Sequence, residues 1–578
     1  MRSLRSYLPP LFRELVGPAE AALALLLLAA LWLRFTVIDH SLPYPQHVDE
    51  TFLSDNAVRM VITGDFNPHF FMYGGLPIYL TAAAMSYGFL DASNHAELNG
   101  TNEIGSVFYP YYQHPRVLRP ARRLFALISV GGLFCLAWVA RQLGGKIAML
   151  LAPAWLALSP LYFEQSQAYL NVNVMGCALF WATLAFVLHQ LARVDWPSKV
   201  FWPGLLCGMV IACKYNFLPV ALAPLLAIAI SGGERRLGKA ATFGAVLVAT
   251  FLLCSPFTLL DFKGFLDDLG RITYDYHAGT FFMVPGSQTF FGHLAVYLGD
   301  IGKEFGRISF VLVLVGLAVL VKREKAKAAI VVLPPLVLLL QTSNAPIHFV
   351  RNLLPFLPLW ALLGALGLAA ATELVEELYR RAPRLAAVPP ERRRVLAAAS
   401  LLLATCPFLP LTQPAEWLAR PLRSRQDGTA WLLAHAEKNQ PLLVARELGL
   451  HPGALRQAGF ELTEIPIRSL STTAFLAELA KKPTALVLLP RMTSVHWDPA
   501  LAAAGQALLP QIAQLHQEIE PLATFGSEPV SVGFEFPTGG DPQFVIGKAR
   551  RSAAELAQLA SEVPPPQPAS VPVKKRDS

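Results

Sequence analysis

Charge is scarce in this chain of 578 residues: only 15% are Asp, Glu, Lys or Arg, where a soluble protein carries about 25%. With 54% apolar residues and a mean hydropathy of +0.43, that scarcity excludes a water-soluble cytoplasmic enzyme. Cysteine is scarce too. The six present, Cys135, Cys177, Cys207, Cys213, Cys254 and Cys406, all lie in apolar stretches, with no C-x-x-C pair and no histidines at ligand spacing. A disulfide framework and a zinc site are therefore not expected. The chain also lacks an internal repeat and a basic face. Its 48 basic and 40 acidic residues leave +8, but the positive charges sit in short clusters between apolar runs, which speaks for membrane topology and against a nucleic-acid partner.

A bilayer core of ~30 Å needs roughly 17 to 25 apolar residues per helix. Runs of that kind lie near 19–36, 121–140, 147–161, 173–191, 201–213, 217–231, 239–257, 305–321, 328–341, 352–371 and 395–411. The expectation is an all-α polytopic membrane domain of about eleven spans. The first run reads as a signal anchor, because Leu33–Arg34–Phe35 stands where a small-residue cleavage site would be. With the N-terminus in the cytoplasm, the basic loops Arg141–Lys146, Arg193–Lys199, Arg235–Lys239, Lys322–Lys327 and Arg380–Arg394 all fall inside. That agreement requires Leu76–Leu90 to be an interfacial or re-entrant helix, since counting it as a span would invert every later loop. Residues 37–120, 258–304 and those after about 412 are then left outside.

The last third changes character. Short β-like runs at Leu442–Arg446, Phe460–Ile465 and Ala485–Leu489 alternate with helical stretches such as Thr472–Lys481, predicting a small α/β domain over 412–562 outside the membrane, after the membrane domain of 1–411. The tail 563–578 is rich in proline and charge and is expected to be disordered.

The stretch Tyr44–Pro77 carries the most chemistry. Asp49 and Glu50 precede a helical pattern over Thr51–Ile62, in which Phe52, Val58, Val61 and Ile62 fall near one face, as for an amphipathic helix lying on the bilayer. A carboxylate at that N-terminus is stabilised by the free backbone N–H groups, which suits a helix cap and a catalytic base equally.

The motifs matter as an ordered set, since each alone is weak. Asp49–Glu50, a helix, Gly64–Asp65–Phe66–Asn67–Pro68 and Tyr73–Gly74–Gly75–Leu76–Pro77 are followed by Arg123–Leu124, Ser159–Pro160, Lys214–Tyr215–Asn216 and Arg351–Asn352–Leu353–Leu354–Pro355. Over roughly residues 15–370 this resembles the C-type glycosyltransferases that use polyprenyl-phosphate sugars, with the protein mannosyltransferases and lipid A aminoarabinose transferases as relatives.

The resemblance implies transfer of a sugar from a lipid phosphate to an acceptor hydroxyl on the outer side, with inversion at the anomeric carbon. Such transfer needs a general base and cations to meet the departing phosphate. Asp49 is the expected base and Glu50 an orienting or capping partner. The cations that the topology places outside are Lys214, Arg271, His277, His348 and Arg351, and each also has the plain reading of a side chain snorkelling to lipid. His69, Tyr73 and Tyr274 are candidates for positioning donor or acceptor, with a structural turn as the stronger reading for His69. Asn173 stands where such relatives usually carry an aspartate, so a metal-independent mechanism is expected, with a divalent ion left open and Glu164 as its one alternative ligand.

The expected setting is a bacterial inner membrane, with lipid, the polyprenyl-phosphate sugar and a glycan, lipid or protein acceptor as partners. The rival function is a transporter or flippase of lipid-linked sugars. Against it, the ionisable residues cluster in outer loops and not at mid-span.

Overall fold

The computed structural model describes residues 17–562, apart from 45–46, 99–104, 107–108, 168, 192–199, 232, 279–286, single positions and pairs between 383 and 399, 402–422, 449, 451, 466–471, 496–508, 528–529 and 533–541. Helices follow the apolar runs: α1 Pro18–Thr36, α2 Val48–Thr63, α3 Gly75–Asn94, α4 Pro115–Ala157, α5 Pro160–Gln167, α6 Val172–Leu191, α7 Phe201–Ile211, α8 Leu222–Ser231, α9 Arg236–Cys254, α10 Phe262–Ala278, α11 Phe290–Phe305, α12 Ile308–Arg323, α13 Lys325–Ser343 and α14 Leu357–Arg381.

Among the described residues, six helices (α1, α4, α6, α9, α13 and α14) are long and apolar enough to cross a membrane, and a seventh span arises if α11 and α12 count as one bent pair. The difference from about eleven has local causes. The runs at 121–140 and 147–161 are merged in α4, where Gly145, at φ 72° and ψ −158°, breaks the helical path between two halves. The runs at 201–213 and 217–231 fold as apolar helices of fewer than 18 residues. Most of 395–411 lies outside the described residues.

Helix α6 forms the centre of the bundle, buried on nearly every side, whereas α1 and α9 leave most of their apolar surface exposed. Close backbone approach fixes α12 against α14. A Cβ on Gly316 would lie 1.9 Å from the Leu363 carbonyl oxygen, and one on Gly367 would lie 2.0 Å from that of Leu312. Only glycine permits that contact, in the manner of small-residue interfaces between apolar helices.

Helix α2 departs from the surface-lying helix expected for it. Its Leu53, Ala57, Val58 and Met60 pack with Ile78, Met85, Val117, Leu118 and Cys213, so its apolar stripe is consumed by protein contacts. A small hairpin, β1 Gly105–Ser106 with β2 Tyr109–Gln113, lies between α3 and α4.

After α14 the described chain resumes with α15 Ser424–His435 and a five-stranded sheet. Its strands β3 Pro441–Ala445, β4 Glu461–Ile465 and β5 Leu486–Pro490 coincide with the runs that alternation picked out. The sheet order is β4-β3-β5-β9-β7, where β7 is Ile519–Phe525 and β9 is Phe544–Ala549; a separate parallel pair joins β6 Met492–Val495 to β8 Val530–Val532. Strands β4, β3 and β5 run parallel, and β9 is antiparallel to both of its neighbours. Every residue of β5 is buried, as expected of a strand covered on both faces, here with helices α16 Thr472–Lys481 and α17 Ala553–Glu562 contributing to the core.

This unit grips the first loop of the membrane part. Tyr44 belongs to its hydrophobic core. The Arg425 guanidinium lies 5.6 Å from the Tyr44 ring centroid, and Gln426 Nε2 donates to the Leu42 carbonyl.

Candidate active site

The chain enters α2 through His47, whose Nδ1 accepts the Asp49 N–H at 3.2 Å. His47 therefore fills the capping role for which Asp49 and Glu50 were candidates, and both carboxylates occupy the first turn, where the helix dipole favours them. Successive residues of a helix point about 100° apart, and the two separate sharply in environment.

Glu50 turns inward. Arg122 Nε and Nη2 hold its two oxygens at 2.8 and 2.7 Å, and Arg122 Nη1 donates to the carbonyls of Ile38 and His40 at 2.8 Å each. Neither side chain of the pair has any exposed surface. The fork joins α2 to α4 and to the end of α1. The arginine that does this is Arg122, while its neighbour Arg123, the residue of the sequence motif, is exposed.

Asp49 is buried in a different cluster. Tyr73 donates its hydroxyl to Oδ1 at 2.8 Å, and Arg351 Nε stands 3.0 Å from Oδ2. That second contact is a close ion pair whose geometry is too oblique for a hydrogen bond, so Oδ2 keeps its acceptor capacity. Tyr73 is itself fixed by the Tyr215 hydroxyl, which donates to its carbonyl at 2.9 Å. Arg351 is carried on the short 3-10 turn Val350–Leu353 before α14 and stacks on Phe349 at 4.2 Å.

Beside them, the buried Lys214 ammonium donates to Asn173 Oδ1 and Asn352 Oδ1, both at 2.9 Å. Asn173 in turn donates to Asn171 Oδ1 at 3.0 Å. Two cations, Arg351 and Lys214, thus share one carboxylate, and the lysine's bonded partners are neutral amides.

These neighbours set the ionisation of the group. Burial pushes the Asp49 carboxyl up, but Arg351, His47, Lys214 and the Tyr73 hydroxyl together outweigh it and hold the carboxyl below its usual range. Burial lowers Lys214 to about 8, with Arg351 adding to the fall and Asp49 opposing it. Burial likewise drives His47 down to about 4, so it is a neutral cap at physiological pH. Burial and the nearby Asp49 raise Tyr73 well above the ordinary phenol range, leaving it a donor.

Of the residues singled out in the sequence, Asp49, Tyr73, Lys214 and Arg351 come together. Others are placed elsewhere. His348 is buried, with Nε2 2.9 Å from Asp300 and Nδ1 3.0 Å from His293 Nε2. Both ring nitrogens are occupied, so His348 braces the turn bearing Arg351 and does not offer itself to a phosphate. His69 is half-exposed at φ 46°, with Nε2 2.8 Å from Asp65; it belongs to a turn. Arg271 and Tyr274 lie exposed on α10, and the side chain of His277 lies outside the described residues.

Helix α10 instead contributes Tyr276, which feels the charges of Arg351 and Asp49 and packs on Phe349 at 6.2 Å. Among the described residues no group of three His, Cys, Asp or Glu side chains could hold a metal ion. The Lys214 ammonium already occupies the Asn173 amide oxygen, a position where an anionic oxygen would serve a hard divalent cation better.

Two solved structures match along nearly their whole length. ArnT from Cupriavidus metallidurans in the apo state has 14% sequence identity and a TM-score of 0.50, covering 94% of this chain and 99% of that one. The same protein bound to undecaprenyl phosphate has 15% identity and a TM-score of 0.51, covering 92% and 98%. This chain has the fold of the C-type glycosyltransferases.

The family model for dolichyl-phosphate-mannose-protein mannosyltransferases matches residues 115–259, the part of the C-type fold that supplies Asn173 and Lys214. The oligosaccharyltransferase of Archaeoglobus fulgidus in its apo form is more distant, at 12% identity and a TM-score of 0.48, covering 92% of this chain and 76% of that one. No protein of curated function matches the sequence.

Proposed function

We propose that the chain is an integral-membrane, inverting glycosyltransferase that moves a hexose or pentose from a polyprenyl phosphate to an acceptor hydroxyl on the outer face of a bacterial inner membrane. The observation that carries this reading is the cluster in which the half-buried Arg351 and the buried Lys214 outnumber the single carboxylate Asp49. A cluster with one positive charge in excess suits an arriving phosphate monoanion, and the relative solved with undecaprenyl phosphate binds such a lipid on the same fold.

The chemistry follows from the atoms present. The acceptor oxygen attacks the anomeric carbon on the face opposite the phosphate, the C–O bond to phosphate breaks with its electron pair, and the hydroxyl proton passes to Asp49 Oδ2. As phosphate charge draws on Arg351, the ion pair to Asp49 loosens and the carboxylate becomes a better base, so donor binding prepares the base for its proton. Arg351 and Lys214 receive the leaving phosphate, which needs no proton of its own. No metal enters this scheme. The N-terminus and the basic loops lie in the cytoplasm, Asp49 and the unit after residue 412 lie outside, and acceptor choice between glycan, lipid and protein rests with the outer loops.

The test uses full-length protein in native membranes, which supply the acceptor, and a polyprenyl-phosphate donor labelled in the sugar. Wild type transfers label, while Asp49→Asn binds undecaprenyl phosphate but transfers none. Equal turnover by the variant sinks the assignment of the base. Label that crosses the bilayer while still attached to lipid, in wild type and variant alike, identifies a flippase instead.

A further inference from the structure

Helices α11 and α12 meet at an angle of 101° across Gly306. Inside that bend is an open cleft of ≈ 560 Å³ lined by Leu298, Gly299, Gly302, Lys303, Arg307 and Phe310. Its floor is apolar, and its rim carries Arg307 and Lys303, whose ammonium also donates to Asp300 Oδ1 at 2.6 Å. Phe310 is held edge-on against Trp360 at 4.9 Å, and Trp360 is pinned by its indole bond to Ser309 at 2.9 Å, so that wall is rigid. The two glycines leave bare backbone on the opposite side. A Cβ at Gly299 would meet nothing within 4 Å, and one at Gly302 would meet the Phe310 ring at 3.3 Å.

The setting of the cleft points to what fills it. Arg307, Val311 and Leu314 are spaced four and three residues apart, so they form one stripe along α12, and all three are exposed. On a helix of a membrane bundle such an exposed apolar stripe faces acyl chains, which puts Arg307 and the exposed Lys303 at headgroup depth. Because His293 of α11 bonds His348 beside the Arg351 turn, the cleft opens on the same side of the membrane as Asp49. It is separate from the Asp49 cluster and shares no lining residue with it.

We propose that this cleft binds one anionic glycerophospholipid, with the phosphodiester on Arg307, Lys303 beside it sharing its charge with Asp300, and the upper acyl chain over Leu298, Gly302 and Phe310. A basic pocket between apolar helices at headgroup level recognises anionic over zwitterionic lipid by charge. The glycines provide the space that a side chain would fill. The site does not depend on the sugar-transfer reading, and its test does not use turnover.

Full-length protein purified in detergent is titrated with phosphatidylglycerol or with phosphatidylcholine, and bound lipid is counted by native mass spectrometry. One phosphatidylglycerol is retained well above phosphatidylcholine. Arg307→Gln weakens its retention roughly fivefold, the amount for one basic residue at a lipid surface, and Gly299→Leu, which changes no charge, abolishes it. Equal retention of the two lipids, or wild-type retention by Arg307→Gln, shows ordinary snorkelling and overturns the proposal. One-for-one displacement of phosphatidylglycerol by undecaprenyl phosphate also overturns it, because the cleft would then belong to the donor's route.

Discussion

Arg351 Nε approaches Asp49 Oδ2 to 3.0 Å without forming an aligned hydrogen bond to it. The arginine thus stabilises the carboxylate by charge while leaving a lone pair for an incoming proton. If Asp49 is the base, Asp49→Asn lowers turnover by about 10² to 10⁴, the usual contribution of general-base catalysis, with donor binding retained. Rate measured against donor concentration separates the two effects.

With Asp49 as the proposed base, the same pair sets the acid limb of the pH profile. Asp49 is held below the ordinary carboxylate value of about 3.9, and a base must be ionised, so wild-type activity persists until the pH falls through that lowered value. In Arg351→Gln the burial that raises Asp49 loses its main opponent, and the limb moves to higher pH. A limb that stays in place excludes Asp49 as the titrating base.

If Lys214 meets the donor phosphate as proposed, it sets the alkaline limb of donor binding. Its ammonium is lowered to about 8, and the charged form is the one that attracts phosphate. Affinity for undecaprenyl phosphate therefore falls as the pH rises through 8, and Lys214→Arg, whose guanidinium stays charged, removes that fall. Equilibrium binding at several pH values, without sugar transfer, is the measurement.

The Glu50–Arg122 fork is expected to matter for stability. Breaking a fully buried pair by removing one partner leaves an uncompensated charge, so Arg122→Met costs about 3–5 kcal/mol. Replacing both, as Arg122→Met with Glu50→Leu, restores much of the loss. Denaturation of the detergent-solubilised protein gives both numbers.

Sidedness is testable with single cysteines. Asp65→Cys serves as the outer probe and Lys325→Cys as the inner one; both positions are exposed. An impermeant reagent applied from outside labels the first alone if the proposed topology holds.

Those features that depend on neighbours along the chain were legible in the sequence. Apolar runs of sufficient length gave α1, α6, α9 and α14, and alternation with β-branched and leucine-rich runs gave β3, β4 and β5. Lys214 and Arg351 stood out as basic residues near the ends of apolar segments, and Asp49 and Tyr73 through the motifs that carry the resemblance. What required three dimensions was partnership. The sequence offers Arg122 and Arg123 as equals, and only the rotation of α4 against α2 decides that Arg122 meets Glu50. His348 has the composition of a phosphate ligand until His293 and Asp300, from the other side of the bend, occupy its ring. His47 and Asn352 had signals, a polar residue just before a helix and an amide beside an arginine, but their roles come from the Asp49 backbone and the Lys214 ammonium that reach them.

Tyr44 lies only five positions before Asp49, yet its ring is part of the hydrophobic centre of the α/β unit. The two halves of the protein are consequently sewn together at the root of the helix that presents Asp49. A version shortened to the membrane helices would expose a large aromatic ring and release the segment from which α2 starts. The folded appendage thus acts as an anchor for the carboxylate, whatever else it recognises.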